Sequence, residues 1–175
     1  MEKQSYIGYH ATSKQNSEKI FKHNFNFCKN GWFGTGVYFY LDKIKMAEHW
    51  LEKKGFSDKQ IIKAIIEVES EFVLDVRNPN SKDSDLFHEL RKHVIELIKN
   101  GSLQLKTTQK NLDNTVFNMI MQDEDIKLII GNSFTYDNDE IGYISRVPNA
   151  TELCVGKLDI IKNKEEVYKW EIHYF

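Results

Sequence analysis

Apolar and polar positions change period several times along this chain, and each change predicts an element. Residues 4–10 alternate loosely with aromatics and read as a first strand, with His10 at its C-terminal end. Thr12 then opens a helix, with Gln15 as capping-box partner and Ile20 and Phe21 on the apolar face. Phe25 and Phe27 fall in the loop that follows. Residues 37–40, Val-Tyr-Phe-Tyr, are β-branched and aromatic, which favours a strand. Gly31, Gly34 and Gly36 precede or enter it, as a loop that can turn sharply or approach a ligand closely. Asp42 is placed to cap the next helix and Gly55 to end it. Within that helix Ile44, Ala47 and Leu51 form one stripe, and Met46 and Trp50 another.

Residues 61–68 alternate strictly at Ile62, Ala64, Ile66 and Val68, which favours a strand, and residues 72–76 extend or partner it. Residues 77–80, Arg-Asn-Pro-Asn, are a loop. Residues 85–100 carry Leu86, Leu90, Val94, Leu97 and Ile98 on one helical face, with Gly101 as the stop. A second helical segment covers 112–121, and a short apolar strand covers 126–130, ending at Gly131. Residues 133–150 are polar and read as a long loop, a feature that compact domains mostly reserve for function. Residues 151–155 and 167–175 are read as closing strands. The pattern is α+β, in one domain spanning 1–175.

Composition narrows the class. The chain is 41% hydrophobic and 29% charged, which is globular rather than disordered. A net charge of -2 gives no chain-wide footprint for nucleic-acid binding, though it leaves room for a local basic groove. Cys28 and Cys154 suit a reducing compartment and form no metal-like cluster, so no metal is expected. Residues 1–10 lack the apolar core of a signal peptide, and no apolar run approaches a membrane span. The expectation is a cytoplasmic protein without membrane contact, or one delivered to the cytosol of a target cell. A strand followed at once by a helix, behind a Gly-rich loop, suits a nucleotide-like ligand. The competing reading is a buried strand with a tight turn.

Three pieces share a further pattern: Tyr9-His10-Ala11-Thr12, then Trp32-Phe33-Gly34-Thr35-Gly36-Val37-Tyr38-Phe39, then Thr151-Glu152-Leu153-Cys154-Val155. Together they resemble the ADP-ribosyltransferases of the poly(ADP-ribose) polymerase, or diphtheria-toxin-like, class. That family carries a His-Tyr-Glu triad on three separated strands. Its first motif is usually His-Gly-Thr or His-Gly-Ser, its second Phe-Gly-x-Gly-Ile/Val-Tyr-Phe, and its third a Glu opening a short apolar strand. The resemblance covers nearly the whole chain, from Tyr9 to Phe175, and its second motif is the most specific.

The resemblance implies an ADP-ribosyltransferase fold, a split antiparallel or mixed β-sandwich with flanking helices around an NAD cleft. It implies NAD as substrate, without a metal. His10 would hold the adenosine-side ribose, and the backbone of Ala11, beside Thr12, the nicotinamide carboxamide. Tyr38, entered by way of Gly36, would stack on the nicotinamide ring, and Glu152 would bond the 2′-hydroxyl of its ribose. The departures are Ala11 for the usual Gly and Met46 where relatives place a small hydroxyl residue. The second aromatic of the sandwich matches His49, with Trp50 beside it, and the resemblance does not choose between them. In the family the loop before the Glu helps select the acceptor, which makes Tyr143 and Arg146 the acceptor candidates.

Other residues compete for these roles. Glu140, Glu165 and Glu166 sit in polar surroundings without a following apolar strand. Glu67-Val68-Glu69 mimics the Glu-x-Glu of the Arg-Ser-Glu class, but no Ser-Thr-Ser strand precedes it. His88 and His93 lack metal-ligand spacing and read as surface residues. Glu152 and Cys154 are expected on one strand face, with Leu153 and Val155 toward the core.

The function that follows from the resemblance is NAD-dependent mono-ADP-ribosyl transfer, a glycosyl transfer to a macromolecule, with protein favoured over nucleic acid as acceptor. The small size suits an effector or toxin, by analogy alone. The rivals are an NAD glycohydrolase, a non-catalytic NAD- or ADP-ribose-binding module and, lowest, an RNA 2′-phosphotransferase, which would need an Arg cluster this chain lacks.

Overall fold

Most of the expected strands and helices form, and most run longer than their apolar pattern. The computed structural model describes residues 2–105, 108–134 and 146–167. In chain order, the first half comprises β1 (Lys3–Ser13), α1 (Lys14–His23), β2 (Cys28–Gly31), β3 (Gly34–Leu41), α2 (Ile44–Lys54) and β4 (Lys59–Glu69). The second half comprises β5 (Val73–Asp75), α3 (Lys82–Lys99), α4 (Gln109–Asp123), β6 (Leu128–Ser133), β7 (Ala150–Val155) and β8 (Ile161–Val167). The architecture is α+β, as expected. The strands join in one sheet of order β5-β6-β7-β3-β1-β4-β8, with β2 attached to β3. Among the described strands only β5 and β6 run parallel, with α3 and α4 in their crossover; the other described pairs are antiparallel.

The two halves of the sheet meet at a narrow seam. β1 pairs with β4 along its whole length, from Lys3↔Glu69 to Ser13↔Lys59. Between β1 and β3 the ladder holds only Gly8↔Leu41 and Tyr9↔Tyr40. The N-terminal part of β3 turns instead to β2 and β7.

Several local expectations are corrected. Thr12 does not open α1; it stays in β1 opposite Gln60, and the ladder to β4 outcompetes the helix there. Ser13 is the cap, accepting the Asn16 N–H at 3.2 Å, so Gln15 forms no capping box. Asp42 does not cap α2, because it adopts φ 51° while its N–H donates to the Ile7 carbonyl. Asp tolerates that left-handed conformation better than most residues. Gly55 ends α2 in the left-handed region, as expected. Gly34 and Gly36 lie within β3 rather than in a loop, and β6 runs through Gly131 to Ser133. The strand β8 forms over residues to which the apolar pattern assigns no element, and the expected strand 167–175 lies outside the described residues except Val167. Much of the 133–150 loop, 135–145, also lies outside them.

Alternation sends Val37, Phe39, Leu153, Val155, Leu128 and Ile130 to one face of the sheet, where they pack in a single core cluster with Ile20 of α1. The opposite face is covered in two patches. α3 and α4 cover Ile129, Cys154 and Tyr38. α2 covers Tyr40, Ala150 and Ile61. Cys154 shares its face with Glu152, with Leu153 and Val155 on the other, as the alternation suggested, and it is fully buried under α3 and α4.

Gly36 shows how tightly β3 and β7 approach. A Cβ there would fall 2.6 Å from Cys154 Sγ and 2.7 Å from the Val155 carbonyl oxygen. The oxygen cannot yield without disturbing the β3–β7 ladder. Gly36→Ala is expected to lower the unfolding free energy by about 1–3 kcal/mol, the usual scale of overpacking. A urea melt measures it, and an unchanged midpoint would show that the strands separate freely.

Candidate active site

Between the two helical patches the sheet face stays open, and its floor carries polar chemistry. Ladder partners in adjacent strands share a face. The row Gly131↔Glu152↔Tyr40↔Tyr9 crosses β6, β7, β3 and β1 beneath the gap. Tyr38 and Cys154 form the next row on the same face. The gap opens as a cleft of about 1260 Å³ whose wall includes His10, Ala11, Thr12, Gly36, Tyr38 and Glu152. It exceeds the usual ~300–1,000 Å³ of small-molecule pockets. His49 and Trp50 of α2 both line it too. Met46 is instead buried against α2's core and is absent from the wall.

His10 enters the cleft through the seam. Alternation places it on the opposite face from Tyr9, beside Phe39, with ring centroids 5.6 Å apart, and Phe25 meets it edge-on at 5.2 Å. Because β1 and β3 part after Tyr9↔Tyr40, the Tyr38 carbonyl turns to the His10 side chain, 2.8 Å from Nδ1. A carbonyl only accepts, so Nδ1 carries the hydrogen and Nε2 is left as an acceptor. Burial pushes the imidazole's pKa down and only the Tyr38 carbonyl opposes it, so the ring is neutral.

Tyr38 is held from its hydroxyl end. The hydroxyl donates to the Gly34 carbonyl at 2.7 Å and accepts the Phe33 N–H at 2.9 Å. A Cβ on Gly31 would lie 1.8 Å from that oxygen, so only glycine fits beside the phenol. Burial raises the Tyr38 pKa far above the phenol range. The side chain therefore offers an aromatic ring and no proton chemistry. From α4, Asn114 Nδ2 donates to the Gly31 carbonyl at 2.9 Å and Asn118 Oδ1 accepts the Thr35 N–H at 2.7 Å, fixing the β2–β3 turn.

Glu152 is the carboxylate of the floor. Burial raises its pKa; the hydrogen bond from Ser133 Oγ to its Oε1 and the charge of Lys110 oppose that shift. Its competitors lie elsewhere. Glu165 pairs with Lys63 at 2.6 Å and Glu166 accepts from Ser17 Oγ at 2.7 Å, both on β8 at the far edge of the sheet. Glu67 pairs with Lys3 at 2.7 Å. Glu140 and Tyr143 lie outside the described residues, and Arg146 is exposed and absent from the cleft wall. His88 and His93 are exposed, and His88 also rims the cleft. Among the described residues no three His, Cys, Asp or Glu gather as metal ligands, and no helix is long and apolar enough to cross a membrane.

Sequence reasoning missed Ser133, which was read as the start of a loop, and Phe33, whose ring lies where a side chain on Gly131 would project. Only the ladder Gly131↔Glu152 brings both beside the carboxylate, and no local pattern encodes that register. The assembled site holds a neutral acceptor, an aromatic face and a buried carboxylate. Such a group suits a cation that develops during reaction.

Two outcomes follow from the carboxylate's setting. With its folded pKa raised, Glu152 lowers stability as pH rises from its unfolded value through its folded one. Glu152→Gln keeps the shape and removes that charge, so its thermal midpoint is expected above wild type at neutral pH, by about 2–4 °C per kcal/mol regained. The gain fades below pH 4.5, the group's ordinary value. Ser133→Ala removes an opposing hydrogen bond, so the Glu152 carboxyl is expected to titrate still higher in a carbon-detected NMR titration. An unmoved titration would show that the Ser133 bond is not made. No protein-family model, curated protein or solved structure matches this chain, so the case for its chemistry rests on these side chains.

Proposed function

We propose that this protein is an NAD-dependent mono-ADP-ribosyltransferase, which breaks the nicotinamide–ribose bond and passes ADP-ribose to a macromolecule. The observation that carries the reading is the meeting of His10, Tyr38 and Glu152, from three strands, in one cleft. These are the residues on which the motif resemblance rests.

Each has a task that its setting supports. The Tyr38 ring offers a flat face for nicotinamide, worth about 0.5–1.5 kcal/mol beyond simple burial. His10, neutral with Nε2 as acceptor, suits a ribose hydroxyl as donor. Glu152, once ionised, accepts from the 2′-hydroxyl and faces the oxocarbenium-like charge that grows as nicotinamide leaves. Its low-dielectric surroundings strengthen that attraction. Ala11 pairs with Ile61 in the β1–β4 ladder and lines the cleft beside His10, so its backbone is at hand for the carboxamide. The generous cleft leaves space for an acceptor beside the dinucleotide.

The test uses NAD labelled in its adenosine half, incubated with the protein in a cell extract, beside Glu152→Ala. Wild type is expected to label macromolecules, and the variant to do so about 10²–10³-fold more slowly. Because Glu152 must be ionised, the rate is expected to climb with pH across its raised pKa. Free nicotinamide without macromolecular label would replace transfer by NAD hydrolysis. Tight NAD binding with neither product would leave a binding module.

A further inference from the structure

Both walls of the cleft carry a tryptophan with a lysine ammonium over its ring. On α2, Lys54 Nζ lies 5.4 Å from the Trp50 centroid. Across the cleft, Lys110 Nζ of α4 lies 5.6 Å from the Trp32 centroid, in the β2–β3 turn. The two pairs differ in use. Trp50 packs on Phe56 at 5.9 Å and belongs to the cluster beneath α2. Trp32 is 49% exposed, and Phe134, just past the end of β6 in the same cleft, is 46% exposed.

This second pair lines the same cleft as Glu152. Phe33, next to Trp32, rests its ring on Gly131, the ladder partner of Glu152. The Lys110 charge opposes the upward push that burial gives the Glu152 carboxyl. Trp32 and Lys110 thus line the cleft on the side of the β2–β3 turn, Phe134 lines it just past Ser133, and His49 and Trp50 line it from α2.

We propose that Trp32, Lys110 and Phe134 form the acceptor surface of the transferase, and that the acceptor is a single-stranded nucleic acid. The proposal rests on the transferase reading. Exposed aromatic faces beside an ammonium match the two parts of a nucleotide, a stacking base and a phosphate. Charge favours the same occupant. The chain carries -2, yet the cleft wall holds Lys53, Lys54, Arg77 and Lys110 against Asp113 and Glu152. Asp75 holds Arg77 and Arg91 from outside the wall holds Asp113 at 2.9 Å, which leaves Lys54 and Lys110 against Glu152. In the transfer, a base nitrogen or a hydroxyl oxygen bonds to the anomeric carbon. The nicotinamide–ribose bond breaks with its electron pair on nicotinamide, and the acceptor's proton goes to solvent.

Fluorescein-labelled single-stranded DNA and RNA oligonucleotides test this by anisotropy, with wild type, Trp32→Ala, Trp32→Phe and Lys110→Gln, each checked for folding by thermal melt. Wild type is expected to bind, Trp32→Ala to weaken binding by roughly 5- to 150-fold, and Trp32→Phe to restore much of it. Lys110→Gln is expected to reduce the slope of log affinity against log salt by about one. Nicotinamide release by wild type, measured separately, reports the NAD half. Release without oligonucleotide binding, binding indifferent to Trp32→Ala, or label found on protein while oligonucleotide stays bare would each overturn the proposal. Trp32-dependent binding without nicotinamide release would sink the transferase reading and leave a nucleic-acid surface.

Discussion

The early parting of β1 and β3 is the constraint on which the rest depends. Two central strands that paired fully would seal the sheet and leave no room for a side chain between them. Here the ladder stops after Tyr9↔Tyr40, and β3 takes β2 as a partner on the freed edge. The Tyr38 carbonyl at the parting receives its hydrogen bond from His10. A buried carbonyl without a partner costs about 1–3 kcal/mol, so the imidazole is part of the sheet's hydrogen bonding as well as of the cleft.

Helix placement completes the arrangement. α2 covers one end of the sheet face, and α3 with α4 the other. The uncovered strip between them contains Glu152, held by Ser133. A carboxylate set among Tyr38, Tyr40 and Phe33 is poorly solvated, which raises its pKa and that of Tyr40 beside it. Folding would favour an apolar residue at that position, so a buried acid there makes it a candidate for chemistry.

The helices and inner strands were legible because burial imposes a period on them. Ile62, Ala64, Ile66 and Val68 alternate because only one set faces the core, and Leu86, Leu90 and Val94 repeat for the same reason. What stayed hidden lacked that pressure. β2, Cys-Lys-Asn-Gly, is short and mostly exposed, and β8, Ile-Lys-Asn-Lys-Glu-Glu-Val, is a charged edge strand. The cleft's own residues divide the same way. His10, Tyr38 and Glu152 stood out through a motif, whereas Ser133 and Phe33 gained meaning only through the register between β6 and β7. Thr12 and Asp42 misled because cap chemistry is local while the ladders that overrode it are not.

The way Tyr38 is tethered changes how defects there are to be interpreted. Its hydroxyl is spent inside the chain, on Gly34 and Phe33, and the turn it closes is the one that α4 grips through Asn114 and Asn118. Losing that oxygen in Tyr38→Phe would strip the Phe33 N–H and the Gly34 carbonyl of their partner while leaving the ring intact. A damaged variant of that kind would speak of a loosened turn, not of a lost acid or base. At this position the ring and the hydroxyl answer to different masters: one to whatever fills the cleft, the other to the architecture behind it.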